Sequence, residues 1–229
     1  MKPDHSTYVK KLFTGLAGRY DLANRWMTWG QDKHWKREVI DRVQLPPGGK
    51  ILDIGAGTGD IALEAFHRDD EALVVPADFA PEMMRVGRLR HETSSLRWVI
   101  SDAQYLPFRS GSLDGVVSSY LLRNVNDVQI VLSEQFRVLK PGGRIVCLDT
   151  TPPPRDLWHL PVHLYLRFVI PLIGGWVAGD RAAYRYLWDS TENFLPAREL
   201  AESIRKAGFR DVSYRRFMGG SVAIHWGIK

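Results

Sequence analysis

The chain has 229 residues, of which 45% are hydrophobic and 25% are charged. These proportions exclude disordered and fibrous proteins, and the length suits one large domain. The net charge of +5 comes from scattered basic residues without a long basic run, so it is only a weak indication of nucleic-acid binding and is equally compatible with an anionic membrane surface. The single cysteine, Cys147, excludes an intramolecular disulfide and fits a reducing cytoplasm. The amino terminus lacks the apolar stretch of a secretory signal, so we expect a cytoplasmic protein.

The first part of the chain has a helical pattern. Trp35, Val39 and Val43 recur at a spacing of four residues, which places them on one face of a helix. The segment 46–49 (PPGG) then interrupts the pattern. We expect residues 1–48 to form a helical cap.

Short apolar runs alternate with helical patterns over residues 49–151. Near-continuous apolar runs of this length are typical of strands covered on both faces, as in a parallel sheet. Pro81 suits the first turn of one intervening helix, and Asn126 or Asp127 can cap a later one. The alternation predicts a doubly wound α/β fold. The predicted strands are Lys50–Ile54, Ala72–Ala77, Leu96–Ser101, Leu113–Ser119 and Arg144–Asp149.

An apolar insertion over residues 152–194 interrupts the alternation. Arg167 lies near its middle, and a charge at mid-span costs roughly 3 kcal/mol, which argues against a membrane span. We expect helices that form core, a dimer surface or a lid over a lipophilic ligand. His159 and His163 have the spacing of a metal pair, but Pro161 lies between them and no third ligand is evident, so we expect no metal site.

Residues 195–229 return to regular structure. Pro196 opens a predicted helix, and the β-like runs Phe209–Phe217 and Ser221–Ile228 are separated by a glycine pair. This pattern predicts an antiparallel hairpin, which would complete a mostly parallel, seven-stranded mixed sheet.

A glycine loop follows the first predicted strand. Gly55, Gly57 and Gly59 have the spacing G-x-G-x-G, whereas dinucleotide-binding folds have G-x-G-x-x-G. Glycines let the backbone approach a ligand closely and adopt positive φ angles. Asp53, just before the loop, suits the positive end of a sulfonium nucleoside. A plain tight turn is the alternative interpretation.

Two further acids end the next two predicted strands. Asp78 follows the loop by about 20 residues, where an acid can accept hydrogen bonds from ribose hydroxyls. Asp102, beside Ala103, could hold an adenine amino group. Each aspartate alone could be a strand-end or helix-cap residue. Together with Asp53 they would lie along one crevice at the carboxyl ends of parallel strands, where open α/β sheets bind ligands.

These motifs resemble those of class I S-adenosylmethionine methyltransferases. More narrowly, the chain resembles the ubiquinone/menaquinone biosynthesis C-methyltransferases almost from end to end. The resemblance implies a seven-stranded Rossmann-like fold and S-adenosylmethionine as the cofactor. Besides the glycine loop, the matching segments are 19–22 (RYDL) with Asn24, 106–108 (LPF), 122–125 (LRNV), 139–143 (LKPGG), 219–225 (GGSVAIH), and Pro171, Gly174 and Gly179-Asp180.

The resemblance also implies roles for individual residues. It places Arg123, Asn124 and Tyr20 around an acceptor, namely a demethylated isoprenoid quinol that is methylated on a ring carbon. Demethylmenaquinol is the first candidate, and a ubiquinol precursor is the second. The expected cofactor-binding residues, from the glycine loop and the resemblance together, are Asp53, Gly55, Gly57, Thr58, Gly59, Asp78, Asp102, Ala103 and Ser119.

Arg123 needs a chemical role other than that of a base, because arginine holds its proton too tightly. We expect Arg123 and Asn124 to stabilise the quinolate electrostatically, while a water or a nearby carboxylate accepts the proton. A surface ion pair is the alternative interpretation of Arg123.

The chain departs from the family pattern at two positions. Leu121 stands where the family has glycine, and we expect it to narrow or reshape the acceptor pocket. Asp149 follows Leu148 where the family tends to have glutamate.

Other functions are open but less favoured. Another small lipophilic acceptor is compatible with the sequence, as is a cofactor-binding subunit without activity. RNA or DNA methylation is disfavoured because the N/D-P-P-Y/F loop of amino-methylating enzymes is missing, and the glycine spacing disfavours a nicotinamide oxidoreductase. The expected partners are a lipophilic quinol and the inner face of the plasma membrane as a peripheral contact, and a homodimer remains open.

Overall fold

The computed structural model describes residues 20–90, 96–154, 163–169, 172 and 181–229. Seven strands form one sheet within these ranges: β1 (Lys50–Ile54), β2 (Leu73–Asp78), β3 (Val99–Ile100), β4 (Leu113–Ser119), β5 (Leu139–Thr150), β6 (Arg210–Phe217) and β7 (Val222–Ile228). The α-helices are α1 (Tyr20–Met27), α2 (Asp32–Val43), α3 (Asp60–Arg68), α4 (Pro81–Arg88), α5 (Val128–Val138), α6 (Arg181–Glu192) and α7 (Ala197–Lys206).

The strand order is β3-β2-β1-β4-β5-β7-β6. The first five strands pair in parallel, and β7 pairs antiparallel with both β5 and β6. The predicted doubly wound, mostly parallel sheet with a carboxyl-terminal antiparallel pair is therefore confirmed. From β1 the chain continues outward to β2 and β3 on one side, and β4 and β5 lie on the other side. Such a switch point between β1 and β4 is where a crevice is expected, at the carboxyl ends of the two strands.

Helices cover both faces of the sheet, which explains the continuous apolar strands. In β4, Val116 and Val117 point to opposite faces and both have no exposed surface. The core on one side includes residues of α5 and α7, and the core on the other includes residues of α2 and α3. Trp35, Val39 and Val43 are buried in the second core, as the spacing predicted.

Two predicted strands differ from the structure by more than one residue at an end. The run Leu96–Ser101 contains only the two-residue strand β3, which pairs with the end of β2 at the edge of the sheet. Conversely, β5 begins at Leu139, and its register against β4 shifts before Arg144 pairs with Gly115. The predicted cap of α5 is confirmed, since the side chain of Asp127 accepts hydrogen bonds from the backbone N–H groups of Gln129 and Ile130.

Residues 152–154 of the insertion are not helical, whereas most of its other described residues are. The helical parts include a π-helical turn, Tyr165–Val169, and the helix α6. Several large apolar side chains of this segment are exposed and do not form core: Leu164, Phe168, Val169 and Leu172. His159 lies outside the described residues, and His163 Nδ1 lies 3.5 Å from Glu192 Oε1. Among the helices that the structure describes, none has the length and apolar character needed to cross a membrane.

Candidate active site

A cavity lies at the carboxyl ends of β1, β2 and β4. We call it the cofactor cavity. Most of the predicted cofactor residues line it: Asp53, Gly55, Gly57, Thr58, Asp78, Asp102, Ala103 and Ser119. Gly59 does not belong to the described lining. It precedes α3 with φ +84° and lies against Trp98, whose Cη2 is 2.7 Å from the position that a Cβ on Gly59 would take. Its glycine identity therefore has a structural reason, and its cofactor contact stays a prediction.

The glycine loop joins β1 to α3. Gly55 and Gly57 have φ angles of +69° and +57°. These positive angles are strained for residues with a side chain, and glycine adopts them readily. The backbone N–H groups of Gly55 and Ala56 donate to the carbonyl of Ala77, at 2.8 and 3.0 Å. The loop is thus held against the end of β2, with backbone exposed to the cavity.

Asp53 places a buried carboxylate in the wall of the cofactor cavity. Its Oδ2 accepts a hydrogen bond from Ala62 N at 3.1 Å, whereas its Oδ1 has no hydrogen-bond partner among the described residues. Burial raises the pKa of Asp53 to about 7, and the nearby carboxylates of Asp78 and Asp60 add to this rise. A cationic ligand would reverse that effect, so the position fits the ammonium or sulfonium end of S-adenosylmethionine.

Asp78 fixes the geometry of the loop. Its Oδ2 accepts from Gly57 N at 2.8 Å and its Oδ1 accepts from Ala80 N at 2.7 Å. Burial raises the pKa of Asp78, and these backbone hydrogen bonds oppose the rise. Each carboxylate oxygen can accept a second hydrogen bond, so Asp78 can also receive ribose hydroxyls.

Asp102 and Ala103 lie beside Asp78, after β3. Asp102 Oδ1 accepts a hydrogen bond from Gln104 N at 2.9 Å, which fixes the carboxylate in the cavity wall. Phe79 also lines the cavity and is 44% exposed, so its ring offers a surface on which an adenine could stack. Asp102, Ala103 and Phe79 thus offer groups for a nucleoside, and Asp53 offers one for the cationic end of the ligand. The donors and acceptors present therefore fit S-adenosylmethionine.

Several lining residues were not predicted as cofactor contacts, among them Asn24, Lys36 and Phe79. Asn24 and Lys36 come from α1 and α2, which fold over the cavity, and Phe79 follows Asp78. Lys36 Nζ lies 2.6 Å from Asp60 Oδ2, at the start of α3. The only sequence signal for Lys36 was its place next to Trp35 on a helix with a buried face.

Arg123 and Asn124 lie in a short 3₁₀ turn, Leu122–Asn124, after β4. Arg123 Nη1 lies 2.6 Å from Asp149 Oδ1, and the two side chains are 1% and 2% exposed. The alternative of a surface ion pair is therefore wrong, because the pair is buried. Burial raises the pKa of Asp149, and the guanidinium of Arg123 opposes this rise.

The side chain of Asn124 is held at both ends. Its Nδ2 donates to the carbonyl of Tyr120 at 2.8 Å, and its Oδ1 accepts from Tyr186 Oη at 3.0 Å. Asn124 lines the cofactor cavity. Tyr20 begins α1, and its side chain lies outside the described residues.

A second cavity lies beside the first, and we call it the acceptor cavity. The two share Asn24 and Tyr120, and Arg123 contributes to the wall of the second. Tyr120 has φ +56°, a strained conformation for a tyrosine, at the boundary between the cavities. Most of the remaining lining is apolar and comes from α1, α6, the turn between β6 and β7, and the start of β7: Met27, Leu187, Trp188, Met218 and Val222.

Leu121 lies in the wall of the cofactor cavity. Its Cδ1 is 3.0 Å from the position that a Cβ on Gly55 would take, so the leucine packs directly on the glycine loop. The contact of Leu121 that the structure describes is thus on the cofactor side, and its influence on the acceptor pocket stays a prediction.

Solved structures support the class of fold. A methyltransferase from Thermotoga maritima is similar with a TM-score of 0.68 at 16% identity, over 96% of this chain and 98% of that chain. Phosphoethanolamine N-methyltransferase 2 of Haemonchus contortus, in complex with S-adenosyl-L-methionine, is similar with a TM-score of 0.66 at 16% identity, over 91% of this chain and 56% of that chain. At such identities the similarity concerns the fold alone.

With the glycine loop and the acids at the carboxyl edge of this sheet, the protein is a class I S-adenosylmethionine-dependent methyltransferase. The chain belongs to the ubiE/COQ5 methyltransferase family, whose model matches residues 1–229.

Individual relatives span nearly the whole chain. Ubiquinone/menaquinone biosynthesis C-methyltransferase UbiE of Desulfotalea psychrophila is 46% identical over 96% of this chain and 90% of its own length. Demethylmenaquinone methyltransferase of Thermus thermophilus is 40% identical over 94% of this chain and 99% of its own. The mitochondrial 2-methoxy-6-polyprenyl-1,4-benzoquinol methylase of Oryza sativa is 36% identical over 99% of this chain and 84% of its own.

Proposed function

We propose that the protein methylates a ring carbon of a demethylated isoprenoid quinol in quinone biosynthesis. Demethylmenaquinol is the first candidate acceptor, and a demethylated ubiquinol precursor is the second. The names of the relatives support a quinol acceptor and include both ring types.

The observation that carries the proposal is the acceptor cavity beside the cofactor cavity. Its apolar side chains suit an aromatic ring, and Asn24 and Tyr120 border both cavities, so an acceptor ring would lie next to the cofactor. Arg123 places a permanently protonated guanidinium in this mainly apolar wall. Such a positive charge would stabilise an oxyanion formed on the acceptor.

The residues of the two cavities have separate tasks. S-adenosylmethionine, when bound, supplies a methyl group already activated by its sulfonium. The protein aligns the acceptor and excludes water with the apolar wall. A quinol ring carbon becomes nucleophilic when its hydroxyl loses a proton, and Arg123 stabilises the resulting oxygen anion. Asn124 is fixed by Tyr120 and Tyr186 at the junction of the cavities. Arg123 keeps its own proton, so a water or a carboxylate receives the proton of the quinol.

The proposal is tested with a methyl-labelled cofactor against demethylmenaquinol, a demethylated ubiquinol precursor and bulk RNA. We expect label in a quinol, and the ratio of kcat/KM for the two quinols identifies the preferred ring. Label in RNA alone, or no label in either quinol, refutes the proposal. We expect Arg123→Lys and Arg123→Ala to lower turnover at saturating acceptor, and wild-type turnover in both excludes the role given to Arg123.

We also propose a peripheral contact with the inner face of the plasma membrane, which would hold the quinol. Trp26 on α1 and Trp29 just after it are 62% and 76% exposed, and Phe168 in the insertion is 55% exposed. Trp29 Nε1 donates to Tyr165 Oη at 2.9 Å, which joins the two segments into one surface. Tryptophan and phenylalanine beside cations are typical of bilayer interfaces, and the exposed cations here are Arg25 and Arg167.

Liposome sedimentation tests this contact. We expect binding to vesicles that contain anionic lipid, binding that falls as salt is added, and weaker binding of Trp26→Ser and Phe168→Ser. Leu89→Ser, which alters a similarly exposed apolar residue directly after α4, is the matched control and should bind as the wild type does. Absence of any sedimentation with vesicles refutes the contact. A dimer in sedimentation velocity without lipid, lost in Trp26→Ser, would assign the surface to a second copy.

A further inference from the structure

A buried ion pair lies directly behind the wall of the acceptor cavity. Arg123 follows β4, Asp149 is the penultimate residue of β5, and the two strands are parallel neighbours. The guanidinium and the carboxylate meet at 2.6 Å with almost no exposed surface. Arg123 also lines the acceptor cavity, so the ion pair extends from a buried residue of β5 to the cavity wall.

Asp149 binds Arg123 at two points. Its Oδ1 accepts from Arg123 Nη1 at 2.6 Å and its Oδ2 accepts from Arg123 N at 3.3 Å. Oδ1 also accepts from Thr150 N at 2.8 Å, which fixes the carboxylate on its own strand. One carboxylate therefore sets both the position of the turn and the direction of the guanidinium.

The guanidinium has a second neighbour in Tyr120. Arg123 Cζ lies 5.0 Å from the centroid of the Tyr120 ring, within the range of a cation–π contact. Tyr120 is the strained residue at the boundary of the two cavities, and its N–H donates to the carbonyl of Leu148 at 2.7 Å. The carboxylate and the ring thus confine the guanidinium, and both are anchored to the end of β5.

Stability alone does not explain such a pair. Removing two charges from water costs free energy that their attraction rarely exceeds, and well-packed apolar residues often replace a buried ion pair without loss of stability. A guanidinium fixed in an apolar wall is, however, what electrostatic stabilisation of an anion requires, because it need not reorganise during the reaction.

We propose that Asp149 is a positioning residue that holds the guanidinium of Arg123 in the acceptor cavity. Asp149 acts on the acceptor only through Arg123. The inference rests on the proposed quinol acceptor, since it assigns Arg123 to the quinol oxygen. It goes further by naming the residue that fixes the position and direction of the Arg123 guanidinium.

The first test compares Asp149→Asn and Asp149→Glu in methyl transfer to the quinol that the wild type methylates. We expect Asp149→Asn to lower kcat about 10- to 100-fold and to shift the rise of kcat with pH to higher pH, because a misplaced guanidinium stabilises the quinolate less. Asp149→Glu keeps the charge and should retain most of kcat. The affinity for S-adenosylhomocysteine, measured by calorimetry, should stay within about threefold, because cofactor residues are unchanged.

A double-mutant comparison separates positioning from a general structural role. If Asp149 acts through Arg123, adding Asp149→Asn to Arg123→Ala should change the remaining kcat less than about twofold. This comparison stays informative if Asp149→Asn alone does not fold, because neither protein contains an unpaired buried guanidinium. Wild-type kcat and pH profile in Asp149→Asn, or a further tenfold loss in the Arg123→Ala background, overturns the inference. Failure of the wild type to methylate any quinol would instead overturn the proposed function.

Discussion

Asp53 should make cofactor binding depend on pH. In the cofactor-free protein its pKa is raised to about 7, mainly by burial, so near pH 7 only part of the protein carries the anion that a cationic ligand needs. Asp78 and Asp60 raise this pKa further and Lys36 lowers it, so these groups form the charged surroundings of Asp53. Binding of the cofactor should therefore favour the ionised form and release a proton.

The size of the effect follows from the position of this pKa. About half of Asp53 is ionised at pH 7 and about 3% at pH 5.5, so the Kd of S-adenosylmethionine should rise roughly 15-fold over this interval. Asp53→Asn should have a weaker affinity that is nearly independent of pH over the same interval. Asp70→Asn, an exposed aspartate after α3, is the control and should keep the wild-type dependence.

Calorimetric titrations at constant ionic strength, in buffers of different ionisation enthalpy, measure both Kd and the protons released. At pH 6 we expect release of nearly one proton per cofactor in the wild type and almost none in Asp53→Asn. A wild-type Kd that does not change between pH 5.5 and 7, or the same slope in Asp53→Asn, would refute the role of Asp53.

The same pKa also predicts how the stability of the cofactor-free protein changes with pH. The folded state holds the proton of Asp53 more tightly than the unfolded state, so the contribution of Asp53 to stability falls as pH rises from about 4 to 7. Asp53→Asn should therefore raise the melting temperature more at pH 8 than at pH 5, and an equal change at both values would contradict this. Asp127→Ala removes the cap of α5 and should cost about 1 kcal/mol in denaturant unfolding, and an unchanged midpoint would show that the cap contributes nothing. Gly87→Ala places a Cβ 2.4 Å from Trp98 Cη2, so we expect a loss of about 1–3 kcal/mol in the same assay, and wild-type stability would show that Trp98 moves freely. Leu121→Gly removes the packing on the glycine loop and should raise the Kd of S-adenosylhomocysteine about tenfold with little change in the KM of the acceptor; the reverse pattern would place Leu121 on the acceptor side.

The sequence predicted the sheet well where apolar runs coincide with strands covered on both faces. It failed at β3, where the apolar run Leu96–Ser101 has a different cause. Leu96 is buried in the core and Trp98 packs on Gly59 and Gly87, while Ile100 is 63% exposed in a strand of only two residues. Burial against helices and burial in a strand produce the same apolar pattern, and periodicity does not separate them.

The cofactor side of the site was predictable because its residues follow the strand ends. Asp53, Asp78 and Asp102 needed only the order of the parallel strands to be placed together. Asn24 and Lys36 reach the cavity through the packing of the amino-terminal helices. Asn24 belongs to a matching family segment but had no cofactor role assigned to it, and Lys36 lies in no motif. Likewise, nothing near Arg123 in the sequence identifies Asp149, 26 residues later, as its buried partner.

The central claim is that a methyl group reaches a ring carbon of a quinol. It is tested most directly by turnover of demethylmenaquinol with a cofactor whose methyl group carries ¹³C, followed by NMR of the extracted product. The account predicts that the label is bonded to a ring carbon and that both quinol oxygens remain unmethylated. Label on an oxygen, or product without label, would contradict it.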